Sequence, residues 1–404
     1  MTDKAPEEIS FVFIYIDYHN RDFYVNLCCM ISILEGTADL AFILGFALLS
    51  CVMAFIWSPL LIKLLYGFEV FKGQKKELEN IASQRGKDFT PVMGGLLVII
   101  TVAVITYFLN WSRGYTWVPI GVMLLSALLG AVDDLLNVFG AERRSRKLSQ
   151  ILTLIRVHKE FKMRLWYIVT LPWSIFKRTS VWIGSRSSRG IHVHEKLLLQ
   201  FAAGSITAWW IYDKLGTAWH YIYFPFGYDL YAGWLIIPFI ILVVMFTANA
   251  VNIADGMDGL AGGMLISSFS ALTLLSWING FGEIAILNAT VVGALVTYTY
   301  FNIKPARFMM GDVGSLGLGA LFAVNTVAIG EIGSIFFLGF VFYIEAFSVV
   351  IQVFGKYVLS RRIFKMAPIH HHFEIKGWSE EKTIMRFWII HFVFVVFGIW
   401  LALH

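Results

Sequence analysis

The sequence predicts an all-α, polytopic integral membrane protein with about ten transmembrane helices and both termini outside. Three observations predict it. Of 404 residues, 58% are hydrophobic and 15% charged, with a mean hydropathy of +0.71, where a soluble domain carries about a quarter charged residues. Apolar runs of about 20 residues, the length that crosses hydrocarbon as a helix, recur along the chain. Basic residues are concentrated in alternate loops, as orientation in a membrane requires.

Taken in order, the runs lie at 41–64, 93–111, 117–138, 197–215, 231–249, 260–279, 283–301, 315–330, 333–356 and 384–403. They form one ten-helix domain, 41–404. Residues 11–38 are also apolar, but Asp17, His19, Asn20, Arg21 and Asp22 interrupt them. Residues 1–40 therefore read as an interfacial segment leading into the first span. The acidic start MTDKAPEEIS lacks the charge-then-apolar order of a cleavable signal. Three cysteines, Cys28, Cys29 and Cys51, suit neither a disulfide framework nor a zinc site. No inverted internal repeat is evident.

Lys72, Lys75, Lys76, Arg85 and Lys87 follow the first span, and Lys304 and Arg307 follow the seventh. Lys356, Arg361, Arg362, Lys365, Lys376 and Lys382 follow the ninth, whereas the alternate loops hold little beyond Arg113 and Lys214. The positive-inside rule then places the basic loops in the cytoplasm. Residues 141–195 carry twelve Lys/Arg against three Glu. Within this cytoplasmic insertion Leu154, Val157, Phe161, Leu165 and Ile168 recur at helical spacing, with Arg156, Lys159 and Lys162 largely off that face. The pattern is that of an amphipathic helix lying on anionic lipid. One further crossing here would put Asp133 and Asp255 on opposite sides of the bilayer.

Five polar clusters fall on that same cytoplasmic side: TPVMGG at 90–95, Asp133-Asp134, NAVNIADGMDG at 249–259, MGDVGS at 310–315 and APIHHHFE at 367–374. Ionisable groups bordering hydrocarbon are costly, and so mark function. Asp133, Asp134, Asp255, Asp258 and Asp312 offer the oxygen ligands that Mg²⁺ takes and shares with substrate phosphates. The glycines let backbone N–H groups approach a phosphate. Lys87 and His370, His371 and His372 add groups for a polyanion. Each cluster alone has a plain reading, a solvated helix end or an interfacial group, and Glu345, with Ser348 and Gln352 on its face, reads equally as a buried structural partner. Together they point to phosphoryl transfer onto a lipid-borne acceptor.

The ordered strings TPVMGG, DD, NAVNIADGMDGLAGG, FNIKPARFMMGDVGSLGLG and MAPIHHHFEIKGWSEEKTIMRFW resemble the phospho-N-acetylmuramoyl-pentapeptide transferases, of the polyprenyl-phosphate N-acetylhexosamine-1-phosphate transferase superfamily. The match runs from about residue 40 to the end, outside 141–190. The resemblance implies a bacterial cytoplasmic-membrane enzyme, multi-pass and often a homodimer, that moves phospho-MurNAc-pentapeptide from UDP to undecaprenyl phosphate with Mg²⁺. Lipid I and UMP would be its products, and membrane lipids, not nucleic acid, its surroundings. It implies a metal role for Asp312 with Asp255, and for Asp133 the acid that deprotonates the lipid phosphate, with Asp134 beside it. His370 joins the catalytic group. Lys87, Asn252, Asp255, Asp258, Asn302, Phe308, Met309, His371 and His372 would meet substrate. Direct attack and an aspartyl-phosphate intermediate both fit these residues.

Three positions depart from the family pattern. Asn137 stands where Lys is usual, Val92 where Thr is usual, and Met309 where a uracil-contacting Phe is usual. Arg143, Arg144 or Lys147 offer replacement charge, and Phe308 or the polarisable Met309 a cover for the base. The competing activities are transfer of GlcNAc-1-phosphate or another hexosamine-1-phosphate to the same lipid, and transport. A transporter would carry ionisable residues at mid-span, and only Glu345 qualifies.

Overall fold

The computed structural model describes residues 21–71, 89–140, 153, 156–157, 161–170, 191, 193–224 and 228–404. Two compact units result, Met1–Gly45 and Phe46–His404. In the first, the described residues belong to the N-terminal part of α1 (Arg21–Gly67). The second holds α2 (Leu96–Leu109), α3 (Trp117–Phe139), α4 (Phe161–Val169) and α5 (Val193–Trp209), whose end continues as a π turn over Trp210–Lys214. A hairpin of β1 (Tyr221–Phe224) and β2 (Tyr228–Tyr231) follows, then α6 (Ile236–Ala254), α7 (Leu260–Ile278), α8 (Gly282–Asn302) and α9 (Gly311–Ala328). The chain closes with α10 (Ile335–Leu338), α11 (Phe340–Tyr357), α12 (Ile369–Ile375) and α13 (Glu380–Ala402).

The protein is an all-α polytopic membrane protein. A helix covers each expected apolar run, and eight helices among the described residues are long and apolar enough to cross a membrane. Of the remaining two, α2 has 14 residues and α5 has 17. Three differences from the expected pattern stand out. The ninth run divides into α10 and α11 at Gly339, where a Cβ would stand 2.9 Å from Tyr343 and 3.0 Å from Phe322. The Val341 N–H that follows donates to His391 Nδ1 at 3.4 Å, giving a backbone donor a partner away from water. The eighth run begins earlier than its hydropathy suggests, so Asp312 lies in the first turn of α9 rather than before it. The antiparallel pairing of Tyr221 with Tyr231 and Phe224 with Tyr228 was not anticipated. Tyr-rich alternation in YIYF and YDLY was its signal.

Helix α9 is the centre, buried along its whole length, and it packs on α3, α6, α2 and α7. Its glycines make this possible, since small residues let helix backbones touch in lipid. A Cβ on Gly319 would stand 2.8 Å from Ala248 Cα, and one on Gly130 of α3 would collide with the Asp312 backbone. Buried polar links add direction to the packing. Asn325 donates to Asn288 at 2.6 Å, Asn288 to Ser276 at 3.2 Å, and Ser268 meets His391 Nε2 at 2.9 Å. The outcome for the site is that the end of α3, the end of α6 and the start of α9 meet at one end of the bundle.

Within 141–195 the described helix is α4, with Leu165, Trp166 and Val169 exposed. Leu154, Lys159 and most of the insertion lie outside the described residues, as does Lys87.

Candidate active site

Asp133 and Asp134 occupy the last turns of α3, 2% and 0% exposed. Burial of two adjacent carboxylates demands donors, and the fold supplies them. Asp133 Oδ1 accepts from the Ile191 N–H at 2.6 Å, and its Oδ2 accepts from Asn137 at 3.0 Å. Asp134 Oδ2 accepts from the Val313 N–H at 3.2 Å, in the first turn of α9. The residue that replaces the family's usual lysine thus orients an acid of the pair.

Asp312 stands opposite. Its Oδ1 accepts from Asn252 at 3.1 Å, and Asn252 also donates to Ser315 at 2.8 Å. Asp255 ends α6 and accepts from the Gly311 N–H at 3.2 Å. Gly311 itself has φ +74°, and a Cβ there would sit 2.6 Å from Asp134 Oδ2 and 2.8 Å from the Met93 nitrogen. Only glycine fits a left-handed residue so enclosed.

Lys196, at the start of α5, closes the arrangement. Its ammonium lies 2.6 Å from Asp133 Oδ2 and 2.6 Å from Asp312 Oδ2, with 20% of the side chain exposed. Burial alone would lower the pKa of Lys196, but Asp312 and then Asp133 outweigh it and hold the ammonium above its ordinary range. No sequence pattern singled it out. A lysine opening an apolar run, beside a segment rich in basic residues, has no distinguishing spacing.

Around this centre, Asn302 ties two loops together. Its Oδ1 accepts from Gly259 N–H at 2.8 Å and its Nδ2 donates to the Phe308 carbonyl at 2.8 Å. Asp258, 7% exposed, accepts weakly from the Ala306 N–H at 3.4 Å. The TPVMGG turn is sewn to the next loop through backbone alone. Met309 N–H donates to Pro91 at 2.9 Å, Gly94 N–H to Met309 at 2.8 Å and Gly95 N–H to Met310 at 2.9 Å. Phe308 is fully buried between Tyr298 and Phe301, at ring distances of 5.6 and 6.1 Å. Met309 is half-buried, so it is the member of the pair with surface to offer a ligand.

The histidines come to the same end of the bundle with distinct surroundings. His370 and Glu345 are both fully buried, with Nδ1 3.1 Å from Oε2, and His370 Nε2 faces Gly256 of the DGMDG turn. His371 pairs with Glu374 at 2.9 Å, and burial pushes its imidazole below the usual range against that pairing. His372 accepts from the Lys365 N–H at 3.1 Å. Beyond them, Lys304 reaches Glu381 at 2.7 Å and the buried Glu380 at 3.1 Å.

Among the described residues no three acidic or imidazole side chains converge into a closed metal cage. The donor chemistry nonetheless fits a hard divalent cation. Asp312, Asp255 and Asn252 present oxygen, and Asp133 with Asp312 already holds a positive charge between them.

The family model described as Glycosyl transferase family 4 matches residues 187–330, which include Lys196, Asn252, Asp255, Asp258 and Asp312. A phospho-N-acetylmuramoyl-pentapeptide-transferase of Koribacter versatilis is 34% identical over 383 residues, covering 89% of this chain and 92% of its own. The proteins of the same name from Levilactobacillus brevis and Bartonella quintana are each 32% identical, covering 82% and 87% of this chain and 90% of their own. With the identity spread over nearly the whole length of both chains, this chain belongs to the phospho-N-acetylmuramoyl-pentapeptide transferase family.

Proposed function

We propose that the protein transfers phospho-MurNAc-pentapeptide from UDP-MurNAc-pentapeptide to undecaprenyl phosphate, releasing UMP and forming lipid I, the membrane-bound precursor of peptidoglycan. The observation that carries this reading is the convergence of Asp133, Asp134, Asp255 and Asp312 with Asn252 and Lys196 at one end of a membrane bundle. An oxygen of the lipid phosphate bonds to the β-phosphorus of the donor, and the bond from that phosphorus to the bridging oxygen breaks, leaving with UMP. Catalysis of such a displacement is mostly positioning and charge stabilisation.

The roles follow from the surroundings of each group. Asp133, oriented by donors on both oxygens, takes the proton of a lipid phosphate monoanion. Lys196 offers positive charge to the diphosphate once phosphates enter between the two acids. Asn252 fixes Asp312, and Asp134 fixes the first turn of α9. Mg²⁺, held by Asp312 and Asp255, would supply charge neutralisation to the donor phosphates. Asp258, Met309 and the 90–95 turn flank the volume beside the acids and form the nucleoside side. His370, clamped by Glu345, and His371 and His372 line the other flank. In this reading the site faces the cytoplasm of a bacterial inner membrane, and the enzyme works as a homodimer.

Purified protein with undecaprenyl phosphate is assayed for Mg²⁺-dependent UMP release from UDP-MurNAc-pentapeptide and, in parallel, from UDP-GlcNAc. Release from the first donor alone is expected. Release from UDP-GlcNAc alone overturns the donor assignment, and no release from either overturns the activity.

A further inference from the structure

At the far end of α9, roughly 27 Å from the acidic centre for a helix of 18 residues, the bundle carries a partly open cavity. It has a volume of about 340 Å³, within the range of small-ligand sites. Trp219, Tyr223 and Phe281 form aromatic walls, and Glu331 stands among Asn279 and Ser334. We infer that this cavity is a binding site for an organic ammonium group.

The composition of the walls selects that chemistry. Among the described residues, Glu331 is satisfied by neutral donors, Asn279 Nδ2 at 3.1 Å on Oε1 and the Ser334 hydroxyl at 3.2 Å on Oε2. Burial raises its pKa against both hydrogen bonds. Among the described residues, no lysine or arginine lines the cavity. His404, also at its wall, gives Nδ1 to the Trp400 carbonyl at 2.8 Å. Trp219 and Phe281 are set edge to face at 6.3 Å. The Trp219 N–H is spent on the Ala328 carbonyl at 3.2 Å, which leaves the indole its π surface as its recognition element. Aromatic faces around an anion favour an alkylammonium over a metal ion, which would want more oxygen ligands, and over an anion, which Glu331 would repel. An ordinary belt of interfacial Trp and Tyr would turn its rings to lipid. Here Trp219, Tyr223 and Phe281 line one cavity together with a carboxylate instead.

Ammonium groups of this kind occur on aminolipid headgroups and on soluble amines, and two arms of one experiment separate them. Calorimetry on the delipidated full chain uses ethanolamine, choline and spermidine as probes. Native mass spectrometry compares retention of phosphatidylethanolamine with phosphatidylglycerol. Saturable binding of a free amine, or preferential retention of the aminolipid, is expected for the wild type, weakened at least tenfold in Glu331→Gln. UMP release and thermal unfolding of this variant, far from the acidic centre, should match the wild type. Should Glu331→Gln fail to fold, Trp219→Leu provides the same comparison. Absence of both kinds of binding, or equal binding by wild type and variant, overturns the inference. Its failure leaves the transferase reading untouched, because that rests on UMP release.

Discussion

At the scale of single residues, the acids were legible because a carboxylate is conspicuous in an apolar chain, while the lysine that bridges them was not. Asp312→Asn replaces a charged oxygen ligand with a neutral amide and removes one arm of the Lys196 bridge. Turnover should fall about 100-fold or more at ordinary Mg²⁺, with insertion unchanged. Near-normal UMP release would remove Asp312 from the centre. Met309→Phe restores an aromatic face at a half-buried position, so the Michaelis constant for the UDP-sugar should stay level or drop. A marked rise would mean the added volume clashes there. His371 gives a pH prediction with a definite sign. Its folded imidazole is held below the ordinary value of 6.5 by burial, against Glu374. The unfolded chain therefore takes up this proton first as pH falls. Stability is full above about pH 6.5 and declines below it. His371→Gln should show a smaller loss in unfolding temperature between neutral pH and pH 5.5; an equal loss would assign the acid sensitivity elsewhere.

At the scale of elements, helix existence followed from hydropathy, because a run of about 20 apolar residues has one stable form in lipid. Helix ends and breaks did not. The start of α9 was hidden because GDVGS is glycine-rich and polar; the Val313 N–H bond to Asp134 and the close approach of Gly130 to Asp312 hold it, and both come from α3. The break at Gly339 was hidden because one of the two rings crowding that glycine, Phe322, lies 17 residues away in sequence. The α3–α9 contact therefore deserves a direct test by Gly130→Val, which would force branched carbons against the Asp312 backbone. Overpacking of this kind costs about 1–3 kcal/mol, and here it displaces an acid as well. Loss of most UMP release together with a lower unfolding temperature is expected. A variant of unaltered stability and rate would show that the two helices separate without consequence.

At the scale of the whole molecule, charge distribution and motif position gave one consistent orientation from sequence, while the approach of distant segments did not appear there. Lys196 and Asp312 are 116 positions apart, and no periodicity records such a meeting. Orientation yields a prediction for the basic insertion. Cysteines introduced at 158 and 186, in a background lacking the native three, should react with impermeant reagent only from the cytoplasmic side. Reaction of either from outside sealed cells would sink the surface-helix reading of residues 141–195.

The backbone seam between residues 91–95 and 309–310 has a consequence for how such a protein can diversify. Its register is written in peptide groups, which every amino acid except proline brings. Side chains along the seam can therefore be exchanged while the loop keeps its shape. In a saturation-mutagenesis map, position 309 should stand out as a tolerant site between intolerant neighbours at Gly94, Gly95 and Gly311. Substrate preference could then drift by one side chain at a time, with the acids a few ångströms away held fixed.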